Sequence, residues 1–458
     1  MKVRLPTDPA RADLLAAKPT LWLNPLYRNG AIGDAELPIS PNDVTDACRN
    51  WARLAPLLAA CFPELKATSG RIRSELVELK ELHEALGYRS REFGRTLIKA
   101  DSHLPVAGSI KARGGVYEVF LFAEELARKT GLLSDDDDIV KLADDPARAL
   151  FSAYTLAVGS TGNLGLSVGI AARALGFKAT VHMSSDAKAW KVERLRRLGV
   201  EVVQHEADYT TAVENARDKA ASDPTIYFVD DEQSRHLFLG YSAAAGELAE
   251  QLADLGIPVD ADHPLFLYLP CGIGGAPGGV AYGAKAILGD HVHAFFVEPT
   301  QSPCALAHMM SGSKALVSVY DIGLTNRTEA DGMAVARMSS FVATVMREML
   351  AGIFTVADDD LFRLLRAAWL TQGQKLEPSA AAALIGPNFI VRHEAGRRFQ
   401  RERGLQAKMS RATHILWTTG GSFVPQEQFK NFLQQAEALA EGSEIGTGSN
   451  GRAAAALG

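Results

Sequence analysis

The segment LPCGIGGAPGG, residues 269–279, is the most informative part of this sequence. It follows the apolar run LFLYL, which is typical of a buried strand, and precedes the helical pattern AYGAKAIL. Its five glycines let the backbone approach a ligand, and a helix N-terminus behind them presents N–H groups to an anion. The segment is not the dinucleotide fingerprint, because Pro277 stands where glycine is needed, and no Gly-Lys-Ser/Thr of a P-loop follows. It predicts a phosphate-binding turn, with a tight structural turn as the alternative.

Strand-like and helix-like segments alternate on both sides of this turn. Such alternation is typical of parallel sheets covered by helices on both faces. We therefore expect the α/β class, with two open parallel-sheet lobes and the active site in the cleft between them. The predicted strands lie at 96–100, 153–158, 178–183, 200–204, 226–229, 265–269, 293–297 and 413–419.

The changes in pattern along the chain predict five parts. The first is a mainly helical N-terminal region at 1–95 that packs on the large lobe, and the second is the start of the catalytic core at 96–150. A small α/β lobe follows at 151–240 and a large α/β lobe at 241–440. The last part, 441–458, is rich in Gly, Ser and Ala and lacks apolar periodicity, which predicts a flexible tail.

Composition excludes several classes of protein. With 458 residues, 47% of them hydrophobic and 22% charged, the chain can bury a large core and is neither fibrous nor disordered. Its net charge of -6 argues against nucleic acid as a partner. No run approaches the roughly 18 apolar residues of a membrane span. The four cysteines form no CxxC pair and the N-terminus lacks a signal-peptide pattern, so we expect a soluble cytoplasmic protein.

A second glycine-containing turn, VGSTGNLG at 158–165, also follows a predicted strand. Ser160, Thr161 and Asn163 place hydroxyl, amide and backbone N–H groups at the start of a helix. Such a group of donors suits a carboxylate, although the same residues could simply cap the helix.

A third segment, AGSIKARGG at 107–115, places Lys111 at a predicted helix start with Arg113 two residues on. The positive charge of Arg113 and the positive end of the helix dipole both disfavour the ammonium form. Lys111 is therefore a candidate amine nucleophile and base. A lone lysine at a helix start is more often a solvated surface group, so this hypothesis depends on the neighbouring motifs.

The fourth segment, WTTGGSFVP at 417–425, follows the last predicted strand. Thr418 or Thr419 could offer a hydroxyl to a heterocycle while the two glycines clear space for it, and a structural turn is the alternative. A candidate Schiff-base lysine, a phosphate turn, a carboxylate-binding turn and a terminal hydroxyl are together the parts that a pyridoxal phosphate enzyme needs.

Seven segments of the chain, taken in order, resemble the motifs of the bacterial D-serine dehydratase (D-serine ammonia-lyase) family. That family belongs to the fold type II, or tryptophan synthase β-like, group of pyridoxal phosphate enzymes. The resemblance runs from about residue 20 to 430, and the wording SIKARGG and CGIGGAPGG favours this family over threonine dehydratases and cysteine synthases. The segments are AGSIKARGG, VGSTGNLGLSVGI, PCGIGGAPGGVAYG, EPTQSPC, ADGMAV, LEPSA and WTTGGSFVP.

The resemblance implies a role for individual residues. Lys111 would be the catalytic residue and form the Schiff base with pyridoxal 5'-phosphate, and the large lobe would bind this cofactor. Asn163 would contact the cofactor's 3'-oxygen, and Thr419 would face its pyridine nitrogen. The phosphate would be held by the backbone of Gly272, Ile273, Gly274, Gly275 and Ala276, and the substrate carboxylate by Ser160, Thr161 and Gly162.

The sequence departs from the family pattern at three places. Ala276 and Ser422 stand where glycine is common, and the methyl group of Ala276 puts the local loop geometry in doubt. Related enzymes bind a cation through a Glu that precedes a Pro and an Asp six residues later. Glu298 matches the first of these, but Cys304 replaces the second, so Glu298 is the single side-chain candidate for a monovalent cation site.

The activity implied by the resemblance is β-elimination of D-serine to pyruvate and ammonia, in which the freed amine of Lys111 removes the α-proton. A hydroxyl rather than a carboxylate at the pyridine nitrogen would favour prompt loss of the β-hydroxyl. The same parts would serve an L-serine or L-threonine dehydratase of this fold. A non-catalytic protein that binds pyridoxal phosphate or an amino acid is the alternative from a different class. From the resemblance we expect a monomer.

Overall fold

The computed structural model describes residues 3–33, 36–88, 90–160, 162–185, 187–206 and 209–442. The chain divides into two compact units. The larger unit comprises Met1–Pro41, Ser74–His103 and Ala245–Gly458, and the smaller unit comprises Asn42–Arg73 and Leu104–Ala244. The units do not follow the order of the five predicted parts, because the N-terminal region contributes to both.

Eleven strands are present in the described residues. They are β1 (Leu21–Leu23), β2 (Leu76–Glu78), β3 (Arg95–Lys99), β4 (Thr155–Gly159), β5 (Lys178–Ser184), β6 (Glu201–His205), β7 (Ile226–Val229), β8 (Leu265–Pro270), β9 (Val292–Pro299), β10 (Gly352–Val356) and β11 (Thr413–Trp417).

The α-helices of the described residues alternate with these strands. They are α1 (Arg11–Leu15), α2 (Pro41–Cys61), α3 (Lys80–Ala85), α4 (Ser90–Phe93), α5 (Tyr117–Lys129), α6 (Asp145–Phe151), α7 (Asn163–Leu175), α8 (Ala189–Arg197), α9 (Tyr209–Ser222), α10 (Arg235–Ser242), α11 (Ala244–Asp254), α12 (Gly275–Leu288), α13 (Cys304–Ser311), α14 (Ser340–Met346), α15 (Asp358–Gln372), α16 (Pro378–Ala381), α17 (Gly386–Val391), α18 (Glu394–Glu402) and α19 (Gln426–Gly442).

Short helical turns complete the secondary structure. A π-helical turn spans Ala112–Val116. The 3-10 turns span Ala31–Gly33, Pro63–Thr68, Asp101–His103, Ile139–Ala143, Val319–Ile322, Asp331–Met333, Ala382–Ile385 and Gln406–Arg411. Among the helices that the structure describes, none is both long enough and apolar enough to span a bilayer.

The larger unit is built on a seven-stranded sheet in the order β1-β10-β9-β8-β11-β3-β2. Its five central strands are parallel, and β1 and β2 pair antiparallel at the two edges. Every residue of β8 and of β9 is buried, which explains the apolar runs LFLYL in β8 and AFFV in β9. The predicted parallel sheet of this lobe is therefore confirmed.

The smaller unit contains a four-stranded parallel sheet in the order β6-β5-β4-β7. Helix α7 begins soon after β4 ends and packs closely on the sheet. A methyl group built on Gly165 would lie 2.7 Å from a methyl carbon of Val181, so glycine is what allows this helix to approach the strand. The second predicted α/β lobe is thus confirmed, and with it the α/β class.

All eight predicted strands are present, but three strands were missed. The two antiparallel edge strands, β1 and β2, have only three residues each, which is too short for a periodic pattern. Strand β10 is fully buried, and its apolar run does not alternate, so sequence periodicity cannot distinguish it from a buried helical segment. The N-terminal region is accordingly less purely helical than predicted.

Parallel strands carry their following loops to one edge of the sheet, where ligands of α/β proteins bind. In the larger unit, the turns after β3, β8 and β11 leave from this edge. In the smaller unit, the turns after β4, β5 and β7 share the corresponding edge. Three of the four motifs singled out by the sequence directly follow one of these strands, and the fourth is the segment that carries Lys111.

Candidate active site

The glycine turn of the larger unit connects β8 to α12. Gly274 caps the helix with a φ of 109°, a left-handed conformation that favours glycine. A methyl group built on Gly272 would lie 3.1 Å from the carbonyl oxygen of Gly332, so this position also has little room for a side chain. The first N–H groups of a helix have no partners within it. The turn therefore presents unencumbered backbone and a helix N-terminus, as a phosphate site requires.

Ala276 does not disturb this geometry. It is buried in the first turn of α12 and is absent from the residues with positive φ in the described chain. A methyl group is tolerated in helical backbone, so the doubt that this departure raised about the loop is removed.

The WTTGGS turn separates the two threonine candidates. Thr418 is fully buried, and its hydroxyl lies 2.9 Å from Oγ of Ser102 and 3.3 Å from the carbonyl oxygen of Lys99. Thr419 is half-buried, and its hydroxyl forms no hydrogen bond with the described residues. A methyl group built on Gly421 would lie 2.1 Å from the carbonyl oxygen of Lys375, so only glycine fits there. Thr419 is thus the hydroxyl that remains available.

Two further motifs, ADGMAV and LEPSA, surround these turns in the larger unit. The backbone N–H of Glu377 donates to the carbonyl oxygen of Gly420 at 2.9 Å. A methyl group built on Gly332 would lie 3.0 Å from Oγ of Ser379. Ser379 is buried, and its hydroxyl has no hydrogen-bond partner in the described chain. A buried hydroxyl without a partner is unusual and is consistent with a bound polar group nearby.

In the smaller unit, Lys111 directly precedes the π-helical turn that leads into α5. Its carbonyl oxygen accepts a hydrogen bond from Oγ of Ser167 at 2.8 Å, which fixes the backbone. Its side chain is half-buried, and Nζ lies 5.5 Å from the centroid of the Tyr241 ring. The amine forms no hydrogen bond or ion pair with the residues described. Lys111 is therefore not engaged structurally, which is what a nucleophile requires.

The turn predicted to bind a carboxylate lies between β4 and α7 in the same unit. The N–H of Ser160 donates to the carbonyl oxygen of His182 at 2.9 Å, and the N–H of Gly162 donates to Oγ of Ser160 at 3.2 Å. Asn163 is the first residue of α7. Thr161 lies outside the described residues. The structure thus places the other three predicted residues together at the carboxyl end of β4.

Comparison with known proteins identifies the family. A family model described as "Pyridoxal-phosphate dependent enzyme" matches residues 67–399. The chain belongs to this family. It is 78% identical over 439 residues to a "Probable D-serine dehydratase" of Rhizobium leguminosarum bv. trifolii, covering 96% of this chain and 100% of that protein. A protein of the same description from Pseudomonas aeruginosa is 49% identical over 434 residues, with 94% and 96% covered.

Solved structures share the fold. Holo diaminopropionate ammonia lyase from Escherichia coli matches with a TM-score of 0.70 at 18% identity and covers 92% of this chain and 97% of its own. The processed form of threonine deaminase isoform 2 from Solanum lycopersicum matches with a TM-score of 0.59 at 18% identity, with 94% and 99% covered. The fold type II architecture inferred from the motifs is therefore confirmed, and pyridoxal phosphate is the cofactor of this family.

The donor set fits this cofactor. The larger unit supplies a turn without side chains at a helix N-terminus, the available hydroxyl of Thr419 and the orphaned hydroxyl of Ser379. The smaller unit supplies the unengaged amine of Lys111 and the side chain of Asn163. These groups are of the kinds that can bind the phosphate and the ring of pyridoxal phosphate and react with its aldehyde.

Sequence patterns missed a group of buried acidic and phenolic residues around Lys111. Tyr241 is fully buried and its hydroxyl has no partner among the described residues, and Oδ1 of Asp231 is likewise buried without a partner there. Burial raises the pKa of Asp231, and the charge of Lys111 opposes this rise. Asp231 follows β7, so its position at the carboxyl end of a strand was the one available signal.

Glu118 lies behind this group on α5. Its carboxylate accepts hydrogen bonds from the hydroxyl of Tyr227 at 2.9 Å and from the hydroxyl of Ser234, which caps α10. Burial raises the pKa of Glu118 to about 7, against the opposing effect of these hydrogen bonds. Glu118 thereby links the helix that follows Lys111 to a strand and to a second helix. A glutamate within an amphipathic helix gives no sequence signal of such a role.

Lys191 was also missed. It is only 1% exposed, and a methyl group built on Gly162 would lie 3.1 Å from its Nζ. The sequence contains a signal of this burial, because Lys191 shares the buried face of α8 with Val192 and Leu195. Lysine is rarely found fully buried.

Glu298, the candidate cation ligand, forms hydrogen bonds with the backbone. Its two carboxylate oxygens accept hydrogen bonds from the backbone N–H groups of Ala305 at 2.8 Å and Leu306 at 2.9 Å, at the start of α13. Burial raises its pKa to about 8. No group of three or more His, Cys, Asp or Glu side chains suited to a metal ion occurs within the described parts of the chain. A cation at Glu298 stays a prediction.

Proposed function

We propose that this chain is a D-serine dehydratase that uses pyridoxal phosphate to convert D-serine by β-elimination into pyruvate and ammonia. The observation that carries the proposal is the unengaged, half-buried amine of Lys111 in a chain that also carries the glycine turn before α12. The substrate is inferred from relatives that carry that name, one of which is 78% identical to this chain.

The residues that would hold the cofactor are those of the motifs described above. The backbone N–H groups of Gly272 to Ala276 would bind the phosphate at the N-terminus of α12. Thr419 would face the pyridine nitrogen, and Asn163 would contact the 3'-oxygen. When bound, pyridoxal phosphate supplies an electron sink that stabilises negative charge at the substrate α-carbon.

The proton chemistry belongs to Lys111. Its Nζ removes the α-proton of the substrate and holds it, and the amine has no ion pair with the described residues that would compete. Ser160, Thr161 and Gly162 bind the substrate carboxylate, with the hydroxyl proton of Ser160 free to donate. Loss of the α-proton and the β-hydroxyl removes water, and the 2-aminoacrylate formed takes up water to give pyruvate and ammonia.

The cellular setting follows from the side chains. All four cysteines are free, as expected in a reducing compartment. We infer a cytoplasmic enzyme that acts as a monomer on a small amino acid, without nucleic acid or membrane as partner, and with Glu298 as the candidate ligand should a monovalent cation bind. Sedimentation of the holoenzyme tests the monomer, because a second, faster boundary at micromolar concentration would contradict it.

The deciding experiment measures pyruvate release from D-serine and from L-serine, side by side, with added pyridoxal phosphate. We expect strong preference for D-serine. Preference for L-serine would move the chain to an L-serine or L-threonine dehydratase of the same fold while keeping Lys111 and the cofactor. Absence of pyruvate from both substrates, in a protein that is yellow and is bleached by borohydride, would favour a non-catalytic binding protein.

A further inference from the structure

A buried ammonium group lies beside the turn that receives the substrate carboxylate in the proposed function. Lys191 is 1% exposed and lies in the first turn of α8. Its Nζ, Cδ and Cε would lie 3.1, 3.9 and 4.0 Å from a methyl group built on Gly162, so the side chain runs along this glycine. Nζ also lies 5.3 Å from the centroid of the Trp190 ring, whose face attracts a cation.

The topology of the smaller sheet brings this lysine to the turn. Strands β4 and β5 are parallel neighbours, and Gly159 pairs with His182. The turn after β4 is fixed to β5, because the N–H of Ser160 donates to the carbonyl oxygen of His182. Helix α8 follows β5, so its first turn begins at the same edge of the sheet. Lys191 reaches Gly162 because these two strand-to-helix connections are adjacent.

Two N–H groups of the described part of the turn are already used within the fold. The N–H of Ser160 is used by His182, and the N–H of Gly162 is used by Oγ of Ser160. The neutral donors that remain, such as the hydroxyl of Ser160, carry no full positive charge to balance a carboxylate. The ammonium group of Lys191 supplies it, and a hydrogen bond from a charged donor to a carboxylate is about twice as strong as one between neutral groups.

We propose that Lys191 is a specificity-determining residue whose ammonium group recognises the α-carboxylate of the substrate. The inference rests on the proposed function and adds to it the reason why the enzyme would require a free carboxylate. It also explains the glycine at 162, because a side chain there would press on Nζ of Lys191.

The test compares two substrates that differ only in the group that Lys191 would recognise. The holoenzyme and its Lys191→Met variant are assayed for ammonia release from D-serine and from D-serinamide, which lacks the negative charge. The variant is expected to lose about tenfold or more in kcat/KM for D-serine, since a hydrogen bond to a charged group contributes about 1.5–3 kcal/mol. Its kcat/KM for D-serinamide should change little, so the preference for the acid falls.

Matched variants separate recognition from folding. Lys178→Met makes the same change at the exposed opposite end of β5 and should leave both substrates unaffected. Lys191→Arg keeps the charge and should restore part of the preference for D-serine. If Lys191→Met does not fold, Gly162→Ala provides the second variant, because its methyl group would displace Nζ and raise KM for D-serine selectively.

The outcomes are distinguishable. Equal losses on D-serine and D-serinamide would overturn the inference, because a merely structural lysine would affect both. An unchanged preference in a folded Lys191→Met enzyme would overturn it as well. A wild-type enzyme that releases no ammonia from D-serine would instead contradict the proposed function itself.

Discussion

The two motif-bearing edges of this molecule hold their ligand-binding groups in different ways. In the larger unit, the turn before α12 is proposed to bind through its backbone, and its residue types follow from local geometry: Gly272 faces Gly332, and Gly274 adopts a φ of 109°. In the smaller unit, the groups proposed to bind are side chains of ordinary type, such as those of Lys111 and of Lys191 beside Gly162. Backbone sites leave a glycine signature in the sequence, whereas side-chain sites depend on where the fold brings the residues.

This difference predicts opposite responses to mutation. A backbone site should be damaged by adding atoms, and a side-chain site by removing or neutralising them. The difference between backbone and side-chain sites can therefore be tested in two ways. One set of substitutions adds a methyl group in the larger unit, and the other exchanges one functional group in the smaller unit.

The largest effect is expected for Lys111→Ala. Without Nζ the enzyme has neither the covalent attachment point nor the base for the α-proton, so pyruvate formation from D-serine should fall below detection. The yellow colour that borohydride bleaches should also disappear, as measured by the absorbance spectrum. Substantial pyruvate formation by the folded variant would contradict the assignment of Lys111.

Gly274→Ala tests the backbone site. A methyl group there would lie 3.0 Å from a methyl carbon of Val342 and would force alanine into left-handed backbone, at a cost of about 1–2 kcal/mol. Because the strain falls on the phosphate turn, affinity for pyridoxal phosphate, measured by equilibrium titration, should fall about tenfold.

Gly289→Ala is the matched control at the other end of α12. Gly289 has a φ of 82°, but a methyl group there would meet nothing within 4 Å. Alanine at 289 also adopts positive-φ backbone, but away from the phosphate turn, so cofactor affinity should be unchanged. Equal losses of affinity in both variants would show that the helix as a whole, not the turn, determines cofactor binding.

The same distinction explains how much could be predicted from the sequence. The parallel strands and the glycine turn were predictable because buried runs and glycine positions follow from local geometry. Lys111 became a candidate only through the neighbouring motifs and the family resemblance. The choice of Thr419 over Thr418 came from the family resemblance, and the physical reason, the contact of Thr418 with Ser102, is visible only in the tertiary structure. Lys191 and Glu118 were missed because the sequence alone does not show what faces them.

Glu118→Gln tests the side-chain region through the pH dependence of stability. Burial raises the folded-state pKa of Glu118 from 4.5 to about 7, so the folded protein binds a proton more tightly than the unfolded chain. The stability that this proton provides is fully present below pH 4.5 and is lost as pH rises to about 7, by on the order of 3 kcal/mol. Glutamine is neutral, so the variant should lose less stability than wild type between about pH 5 and pH 8, as measured by urea unfolding.

Glu124→Gln provides the control on the same helix. The carboxylate of Glu124 pairs with Arg53 at 2.6 Å and with Arg128 at 3.0 Å, so its neutralisation removes ion pairs rather than a buried uncompensated charge. This variant should be less stable than wild type at about pH 8. A pH dependence in Glu118→Gln that equals that of wild type would mean that Glu118 does not titrate in this range.

The smallest effects separate the two threonines after β11. Thr418→Val removes the hydroxyl that contacts Ser102 and the carbonyl oxygen of Lys99, so we expect a loss of about 1 kcal/mol in unfolding free energy with an unchanged cofactor spectrum. Thr419→Val removes a hydroxyl with no hydrogen bond to the described residues, so stability should be unchanged while the absorbance maximum of the bound cofactor shifts. The reverse pattern would assign the pyridine nitrogen to Thr418. The two residues are adjacent on one turn, so both variants share the same backbone context. Comparing them therefore distinguishes a hydroxyl that binds the cofactor from one that stabilises the fold.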